Sequence, residues 1–334
     1  MQDSLLSSLR GPRLREAKGD CLARRDSLKR LRSSPFNVSE DVGVEAFPDL
    51  KPIESFPALL IEEDRERILV ISDIHIGWEI SLSHKGIHIP SQTPKIVRRL
   101  RDVIAVCNPN KLAILGDVKY SFAKTELEEW RDVPAFFEEV LELFEEVTVI
   151  PGNHDGDLEP LTPRSVRIDP PQGTLLWGKV GLLHGHAWPD PRLFLGNAIL
   201  MGHLHPVVSF TDALGFRITK QVWVRAKCDI AKAASPMIKR LTGKEASDPL
   251  QFLRENYGVV RTSIDCFILP SFNDFLGGQP VNLPLPQTGK RAQEYIGPML
   301  RSGAVDMENA EVMLLDGTYL GTVSELRKVG AANE

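Results

Sequence analysis

Five apolar segments of strand length in this sequence each end in side chains that can bind a metal ion. The segments and the polar residues after them are residues 67–71 with Asp73 and His75, 111–115 with Asp117, 146–150 with Asn153 and His154, 180–183 with His184, and 198–201 with His203 and His205. The carboxyl ends of strands in an α/β sheet meet at one edge, where ligands collect. The repeated ending therefore predicts one polar site at the rim of a sheet.

Two helical patterns separate the first three segments. Residues 94–106 carry apolar side chains at helical spacing, and residues 134–146 form a strongly amphipathic pattern with Pro134 near its start. Strand and helix in alternation predict a mixed or parallel sheet covered by helices. Further strands are expected at residues 165–168, 174–177, 266–269 and 312–315. The Asp-Gly pair within residues 315–318 favours a hairpin turn.

We expect the chain to divide into three parts. Residues 1–50 form a basic, flexible extension, residues 51–285 form the main domain, and residues 286–334 pack on or complete its core. Within the main domain, residues 219–262 look like a basic helical insertion. Residues 1–33 hold nine Lys/Arg against four Asp/Glu, which is typical of a solvated tail or of a weak contact with nucleic acid or a partner.

The bulk composition excludes several classes of protein. The formal charge is only −5, and no apolar run approaches the length of a membrane span. The four cysteines are scattered without a Cys-x-x-Cys pair, so a disulfide framework is not expected and a reducing, cytoplasmic compartment fits best. Neither a GxxxxGK[ST] loop nor a GxGxxG motif is present, which leaves nucleotide binding by those devices unsupported.

The chemistry of the rim residues indicates a site for two metal ions. Aspartate, asparagine and histidine without cysteine suit borderline to hard divalent metals. Six of the eight histidines fall in the rim motifs. One tetrahedral ion needs only four ligands, whereas two ions about 3.5–4 Å apart and sharing a carboxylate need about seven. The seven candidate donors are Asp73, His75, Asp117, Asn153, His184, His203 and His205.

The ordered motifs D-x-H, G-D, G-N-H-D, H-G-H and G-H-x-H resemble the signature of calcineurin-like metallophosphoesterases. Further segments resemble the archaeal-type ICC-like group of this family, which is related to the nuclease subunits of double-strand-break repair complexes. Those segments are residues 72–79, 85–90, 116–119 and 267–272. The chain departs from that group at Tyr120, where histidine is usual. The resemblance implies an α/β fold, a four-layer α-β-β-α sandwich with mixed sheets.

By the same resemblance, Asp73, His75 and His205 would hold one ion. Asn153, His184 and His203 would hold the other, and Asp117 would bridge the two ions. Manganese is the first expectation by family, with iron or zinc as alternatives that bind similar donors. The implied reaction is hydrolysis of a phosphoester by a hydroxide shared between the metals.

Further roles are expected for other residues near the motifs. His154 would stabilise the transition state or protonate the leaving group, and Asp155 would orient His154 or cap the following turn. His186 is expected to lie behind the ligands. His84 and His88 belong to a solvated loop or to the substrate side, and Trp78 and Trp188 stack on a base or pack in the core.

The substrate is left open between two classes. A phosphodiester in nucleic acid, either DNA or RNA, or in a nucleotide is favoured by the basic residues between 219 and 244, since Lys and Arg meet phosphates. The alternative is a phosphomonoester on a small molecule. A further alternative is a non-catalytic scaffold on the same fold, as in the retromer subunit of this superfamily. The identity of any protein partner is left open by the sequence, and no contact with a membrane is expected.

Overall fold

The first three predicted strands lie side by side in a six-stranded sheet. The computed structural model describes residues 48–122, 125–211, 214–283 and 295–331. The strands of this first sheet, in spatial as well as chain order, are β1 (Asp49–Pro52), β2 (Leu59–Glu63), β3 (Glu66–Ser72), β4 (Lys111–Leu115), β5 (Glu146–Val149) and β6 (Arg167–Ile168). The pairs from β3 to β6 are parallel, and β1, β2 and β3 pair antiparallel, so the sheet is mixed.

The remaining strands form a second, nine-stranded sheet. They are β7 (Thr174–Leu176), β8 (Val180–Leu183), β9 (Ala198–Met201), β10 (Pro206–Thr211), β11 (Arg217–Asp229), β12 (Ser263–Ile268), β13 (Gln279–Pro280), β14 (Glu311–Leu314) and β15 (Tyr319–Thr322). The strand order is β13-β10-β11-β12-β9-β8-β7, and β14 joins through β11 and carries β15. Strands β8, β9 and β12 run parallel, so their carboxyl ends meet at one edge.

Seven α-helices are described. They are α1 (Ile80–Ser83), α2 (Thr93–Cys107), α3 (Leu127–Leu141), α4 (Ile230–Thr242), α5 (Pro249–Tyr257), α6 (Pro298–Arg301) and α7 (Val323–Ala331). Two 3₁₀ turns lie at Glu159–Leu161 and Pro191–Leu195. None of the helices in the described ranges combines the length and the apolar character that crossing a bilayer requires.

Alternation along the strands creates the layers. In β3, Ile68 and Val70 face the second sheet, whereas Leu69 and Ile71 face α2 and α3. The space between the sheets is filled by large side chains from both, including Trp223 of β11 and Phe267 of β12. A third apolar cluster joins the other face of the second sheet to α4, α5, α6 and α7. The predicted four-layer α-β-β-α sandwich with mixed sheets is therefore confirmed.

The second predicted helix has the right type but the wrong limits. We expected residues 134–146, whereas α3 spans Leu127–Leu141 and carries Pro134 in its interior. A capping box sets the true start, because Glu126 accepts from the third helical backbone N–H while Glu129 accepts from Glu126 N at 2.9 Å. The proline was misjudged as a start signal because a glutamate cap is a weak signal in the sequence.

The prediction of a helical region over residues 219–262 is wrong for its first eleven residues. They belong to β11, which pairs with β10, β12 and β14 and is therefore integral to the second sheet. Ala226 and Cys228 are buried and alternate with the more exposed Arg225 and Lys227, and this period of two marks a strand. Both cations are paired with the buried carboxylate of Asp265, Arg225 at 3.4 Å and Lys227 at 2.8 Å. The later part of the region is helical, as α4 and α5.

The remaining strand predictions agree with the structure to within three residues at each end. The predicted turn of residues 315–318 is confirmed, since β14 and β15 pair antiparallel around Gly317, whose φ is 85°. All described residues belong to one unit that spans residues 36–334. The predicted flexible extension lies outside the described residues up to residue 47, and β1 begins at Asp49.

Candidate metal centre

The structure brings the predicted rim residues together at the carboxyl ends of strands from both sheets. Three overlapping groups have potential ligand atoms within 4.8 Å of one another. They are Asp73 with His75 and His205, His75 with Asp117 and His154, and Asp117 with His184 and His203. Asn153 joins them, because its Oδ1 lies 3.3 Å from His184 Nε2. All seven candidate donors and His154 therefore share one site.

The backbone that presents these donors is held in an uncommon conformation. Nine described non-glycine residues have positive φ, and five of them are candidate donors: Asp73, His75, Asp117, His203 and His205. The left-handed region costs an L-residue roughly 1–2 kcal/mol, so such residues persist only where neighbours fix them. Backbone hydrogen bonds between the loops do so here, from Asp73 N to Gly116 O and from His75 N to Asp117 O. Strain gathered in this way is typical of functional sites.

The carboxylate of Asp117 lies between the two halves of the site. Its Oδ2 is 3.5 Å from His75 Nε2 and 3.4 Å from His184 Nε2. Its Oδ1 accepts the backbone N–H of His154 at 2.9 Å, which fixes the plane of the carboxylate. Among the candidate donors Asp117 is the one carboxylate that belongs to two of the three groups, and His75 is the other shared member.

The first half of the site contains buried polar atoms that lack a partner. Asp73 Oδ1 and His205 Nε2 are 2.9 Å apart. Within the described structure, neither ring nitrogen of His75 has a hydrogen-bond partner, although the residue is only 3 % exposed. A buried polar atom without a partner is costly, and a bound ion is a standard explanation. The geometry around His75 therefore fits a metal.

In the second half, the histidine tautomer is set by the backbone. His184 Nδ1 lies 2.8 Å from Leu115 O, and because a carbonyl can only accept, this nitrogen carries a proton. His184 Nε2 then faces Asn153 Oδ1 and His203 Nδ1, at 3.3 and 3.1 Å. A backbone carbonyl that orients a ligating histidine in this way is the usual support of a metal site.

The aspartates and histidines of the site strongly shift one another's pKa values. Burial disfavours charge on His184, but the carboxylates of Asp117 and Asp73 outweigh it and raise the pKa of His184 to about 9. Burial also opposes ionisation of Asp73, yet His205 and His184 lower its pKa to about 2. Burial lowers the pKa of His75 to about 4 and that of His203 to about 3. Without an ion, protonated His184 offsets part of the negative charge of the two buried carboxylates.

His154 and Tyr120 form the open side of the site. His154 Nδ1 donates to the backbone carbonyl of Tyr120, so the Nε2 side of the ring points towards Asp117 Oδ2, 3.9 Å away. Position 120, where the resembling group usually has histidine, thus contributes its carbonyl to this hydrogen bond. The exposed ring of Phe122 meets the His154 ring edge-on at 5.6 Å.

The carboxylate of Asp155 holds backbone groups of two loops. We had expected it to orient His154 or to cap the following turn. Its carboxylate accepts the backbone N–H groups of Gly152, Val118 and Lys119 at 2.8, 3.0 and 3.3 Å. Burial, aided by the negative charge of Asp117, raises the pKa of Asp155 to about 6. The ring of His154 is held by Tyr120 instead. Asp155 therefore positions the loops that carry Asp117 and Asn153.

The other predicted residues lie outside the three groups. The ring of His186 lies next to that of His184, with ring centroids 5.3 Å apart and the planes tilted by 54°. His84 and His88 are exposed in the loop after α1. Trp188 packs against the apolar cluster of the second sheet, and Trp78 stacks on Phe275 at 5.2 Å. These contacts favour packing for both tryptophans.

Two supporting elements were missed from the sequence. Ser271 Oγ donates to Asp73 O at 2.9 Å, and Asn273 Nδ2 donates to Ile74 O at 2.9 Å. Both residues follow β12, so they continue the same pattern of polar residues after an apolar strand. Glu129 of α3 is fully buried and accepts from Tyr120 N and Ser121 N at 3.0 and 2.7 Å. Its position in an amphipathic helix gave no signal of this role.

Comparison with known proteins identifies the family. Residues 66–252 match the sequence profile described as calcineurin-like phosphoesterase, which is more than half of the chain. The chain belongs to the calcineurin-like phosphoesterase family. As a member of it, the protein is a metal-dependent phosphoesterase that hydrolyses ester bonds. A search of the curated proteins found no significant match.

Two solved structures are similar to this calcineurin-like phosphoesterase. The Pseudomonas putida nuclease MPE is 18 % identical, with a TM-score of 0.41, over 81 % of this chain and 100 % of the other. Yfce, a phosphoesterase from E. coli, is 22 % identical, with a TM-score of 0.27, over 44 % of this chain and 74 % of the other. At these values neither similarity bears on the substrate of this chain.

The close approach of two loops makes Gly152 a sensitive position. A Cβ added there would lie 2.1 Å from Asp117 Oδ1 and 2.4 Å from Asp117 N. We expect Gly152→Ala to displace Asp117, to abolish hydrolysis and to lower the free energy of unfolding by roughly 1–3 kcal/mol. Gly156→Ala is the matched control, since no atom of the residues that the structure describes lies within 4 Å of its added Cβ. Denaturant unfolding and a hydrolysis assay check this, and equal behaviour of the two variants would contradict it.

Metal binding to the metal-free protein should release protons. At about pH 7.5, below its pKa of about 9, His184 is protonated, whereas a ligating imidazole must offer a lone pair. We expect roughly one proton or more to be released per protein, and the metal affinity to rise with pH up to about 9. Calorimetric titration in buffers of different ionisation enthalpy measures the release. Binding heats that do not depend on the buffer would contradict it.

Proposed function

We propose that the protein is a phosphodiesterase with two divalent ions at the rim site. Asp73, His75 and His205 hold the first ion, Asn153, His184 and His203 hold the second, and Asp117 bridges them. The observation that carries this assignment is the position of Asp117 Oδ2, at similar distances from a ring nitrogen of each half. The unpartnered ring of His75 gives independent support.

The donor set is compatible with manganese, which we propose as the resident metal, and with iron or zinc. Asn153 offers its amide oxygen, because the amide nitrogen has no lone pair to give. When bound, such ions neutralise charge on the phosphate and lower the pKa of a water molecule, which supplies the nucleophile. The protein itself contributes a buried set of donors on a fixed backbone, so little reorganisation is needed.

His154 is proposed as the group that meets the leaving oxygen. Its ring is anchored through Nδ1 at the Tyr120 carbonyl, so Nε2 remains for the substrate. The side chain is not among the seven donors, and it borders the exposed Phe122 rather than the buried core. Because Nδ1 already carries a proton, Nε2 has a proton only when the ring is an imidazolium, and the imidazolium donates that proton to the departing oxygen.

The proposed substrate is a phosphodiester in DNA, RNA or a nucleotide, with a small phosphomonoester as the alternative. The basic residues of region 219–244 do not by themselves support a phosphodiester substrate. Several are neutralised within the protein, as Arg225 and Lys227 are by Asp265 and Lys239 is by Glu245. We also propose a cytoplasmic location, since the three described cysteines, Cys107, Cys228 and Cys266, are unpaired.

A substrate panel with two variants tests this function. The purified protein with manganese is assayed on bis-p-nitrophenyl phosphate, p-nitrophenyl phosphate and single- and double-stranded DNA. We expect diester hydrolysis that Asp117→Asn lowers by about a thousandfold or more, because the shared ligand loses its charge. His154→Ala should cost about 10²–10⁴-fold on DNA but less on the nitrophenyl diester, whose leaving group needs no proton.

His88→Ala is the control, because His88 is exposed in a loop and belongs to none of the three groups. It should match the unchanged protein on every substrate. Undiminished turnover by Asp117→Asn would exclude the two-metal assignment. Hydrolysis of the monoester alone would exclude the diesterase and favour the alternative.

A further inference from the structure

A cleft beside the metal site is lined by basic side chains. It has a volume of about 270 Å³ and lies between the first turns of α2 and the segment of residues 272–275 that follows β12. Three cations line it: Lys95, Arg98 and Arg99. Two carboxylates, Asp102 and Asp274, also line it, so the net charge of its walls is positive.

The cleft shares a wall with the rim site. Phe272, which lines it, donates its backbone N–H to Ser72 O at 2.7 Å, and Asn273 donates to Asp73 O at 3.4 Å. Asp73 is a proposed ligand of the first ion. An anion in the cleft would therefore lie on the side of the metal site that is formed by the Asp73 loop.

Two of the three cations are held in place by their surroundings. Lys95 Nζ lies 3.8 Å from the centre of the Phe275 ring, and that ring stacks on Trp78 with an angle of 16° between the planes. Arg99 Nη1 donates to Phe272 O at 2.8 Å and lies 3.8 Å from Asp274 Oδ2. A cation that is already ordered loses less conformational entropy when it binds a ligand.

The third cation is available to solvent. Arg98 is exposed on α2 and has no ion pair within the described residues. Together with the fixed ammonium of Lys95, one turn of helix away, it presents two positive groups to one cleft. Such a pair suits an oxyanion that carries charge on several oxygens, since guanidinium and ammonium both donate to phosphate.

We propose that this cleft binds a phosphate of the substrate that flanks the scissile phosphodiester, so that the substrate class is a nucleic-acid strand rather than a small phosphoester. The proposal rests on the proposed phosphodiesterase function of the rim site. A strand carries a charge at every nucleotide, so it can occupy the metals and the cleft at once. A small diester has a single phosphate and reaches only the metals.

The test separates strand binding from hydrolysis. Binding is measured by the anisotropy of a fluorescein-labelled single-stranded oligonucleotide of about a dozen nucleotides, with EDTA present so that no hydrolysis occurs. Lys95→Ala/Arg98→Ala should weaken binding by about tenfold and reduce the slope of log affinity against log salt by about one to two. Arg98→Glu should weaken binding further.

The matched control is Arg65→Ala. Arg65 is also exposed, but it lies in the turn before β3, at the opposite end of that strand from Asp73. It should leave both the affinity and the salt slope unchanged. Turnover of bis-p-nitrophenyl phosphate is then measured with manganese for every variant, and the double variant should agree with the unchanged protein within about twofold, because this diester has no flanking phosphate.

The outcomes distinguish this proposal from the proposed function. If the unchanged protein does not hydrolyse the small diester, the phosphodiesterase assignment fails whatever the anisotropy shows. If it does, and the double variant binds the oligonucleotide as tightly as Arg65→Ala does, the cleft proposal fails alone. The cleft proposal would also be overturned if the double variant lost as large a factor in turnover of the small diester as in affinity for the oligonucleotide. It would likewise be overturned if an acidic peptide of matched length bound the unchanged protein as tightly as the oligonucleotide does.

Discussion

The structure depends on the buried carboxylate of Asp117, towards which loops from both sheets converge. Ring nitrogens of His75 and His184 lie about equally far from one of its oxygens, and the other oxygen is fixed by the backbone of His154. A buried carboxylate is costly unless positive charge or hydrogen bonds compensate it. In the metal-free protein the compensation is protonated His184, and in the proposed holoenzyme it is the pair of metal ions. The site is thus built for positive charge.

The fold supplies the rigidity that this arrangement needs. Strands from two sheets end at one rim, and the apolar layer between the sheets holds the two sets of carboxyl ends together. The loops are then joined by backbone hydrogen bonds and by side chains such as Asp155 and Ser271, which act only on the backbone. This support explains how five of the seven proposed ligands keep a left-handed conformation that costs each of them free energy.

The side chains at the rim were predicted from the sequence more accurately than the helix and strand limits around them. Donor residues directly after apolar strands are local features, and each of the seven reached the site because parallel strands align their ends. The limits of α3 and the nature of β11 depend on non-local contacts. The basic residues of β11 are tolerated in a sheet because Asp265 of the neighbouring strand faces them, a pairing that no local pattern reveals. The supporting roles of Glu129 and Asn273 likewise arise only when distant segments meet.

The shared position of Asp117 between two metal ions can be tested by locating those ions in the protein. A crystal structure of the manganese-loaded protein, with anomalous scattering data and metal analysis of the same preparation, would locate each ion. We expect two ions per chain about 3.5–4 Å apart, with an oxygen of Asp117 bound to both. A single ion, or two ions of which Asp117 contacts only one, would contradict it.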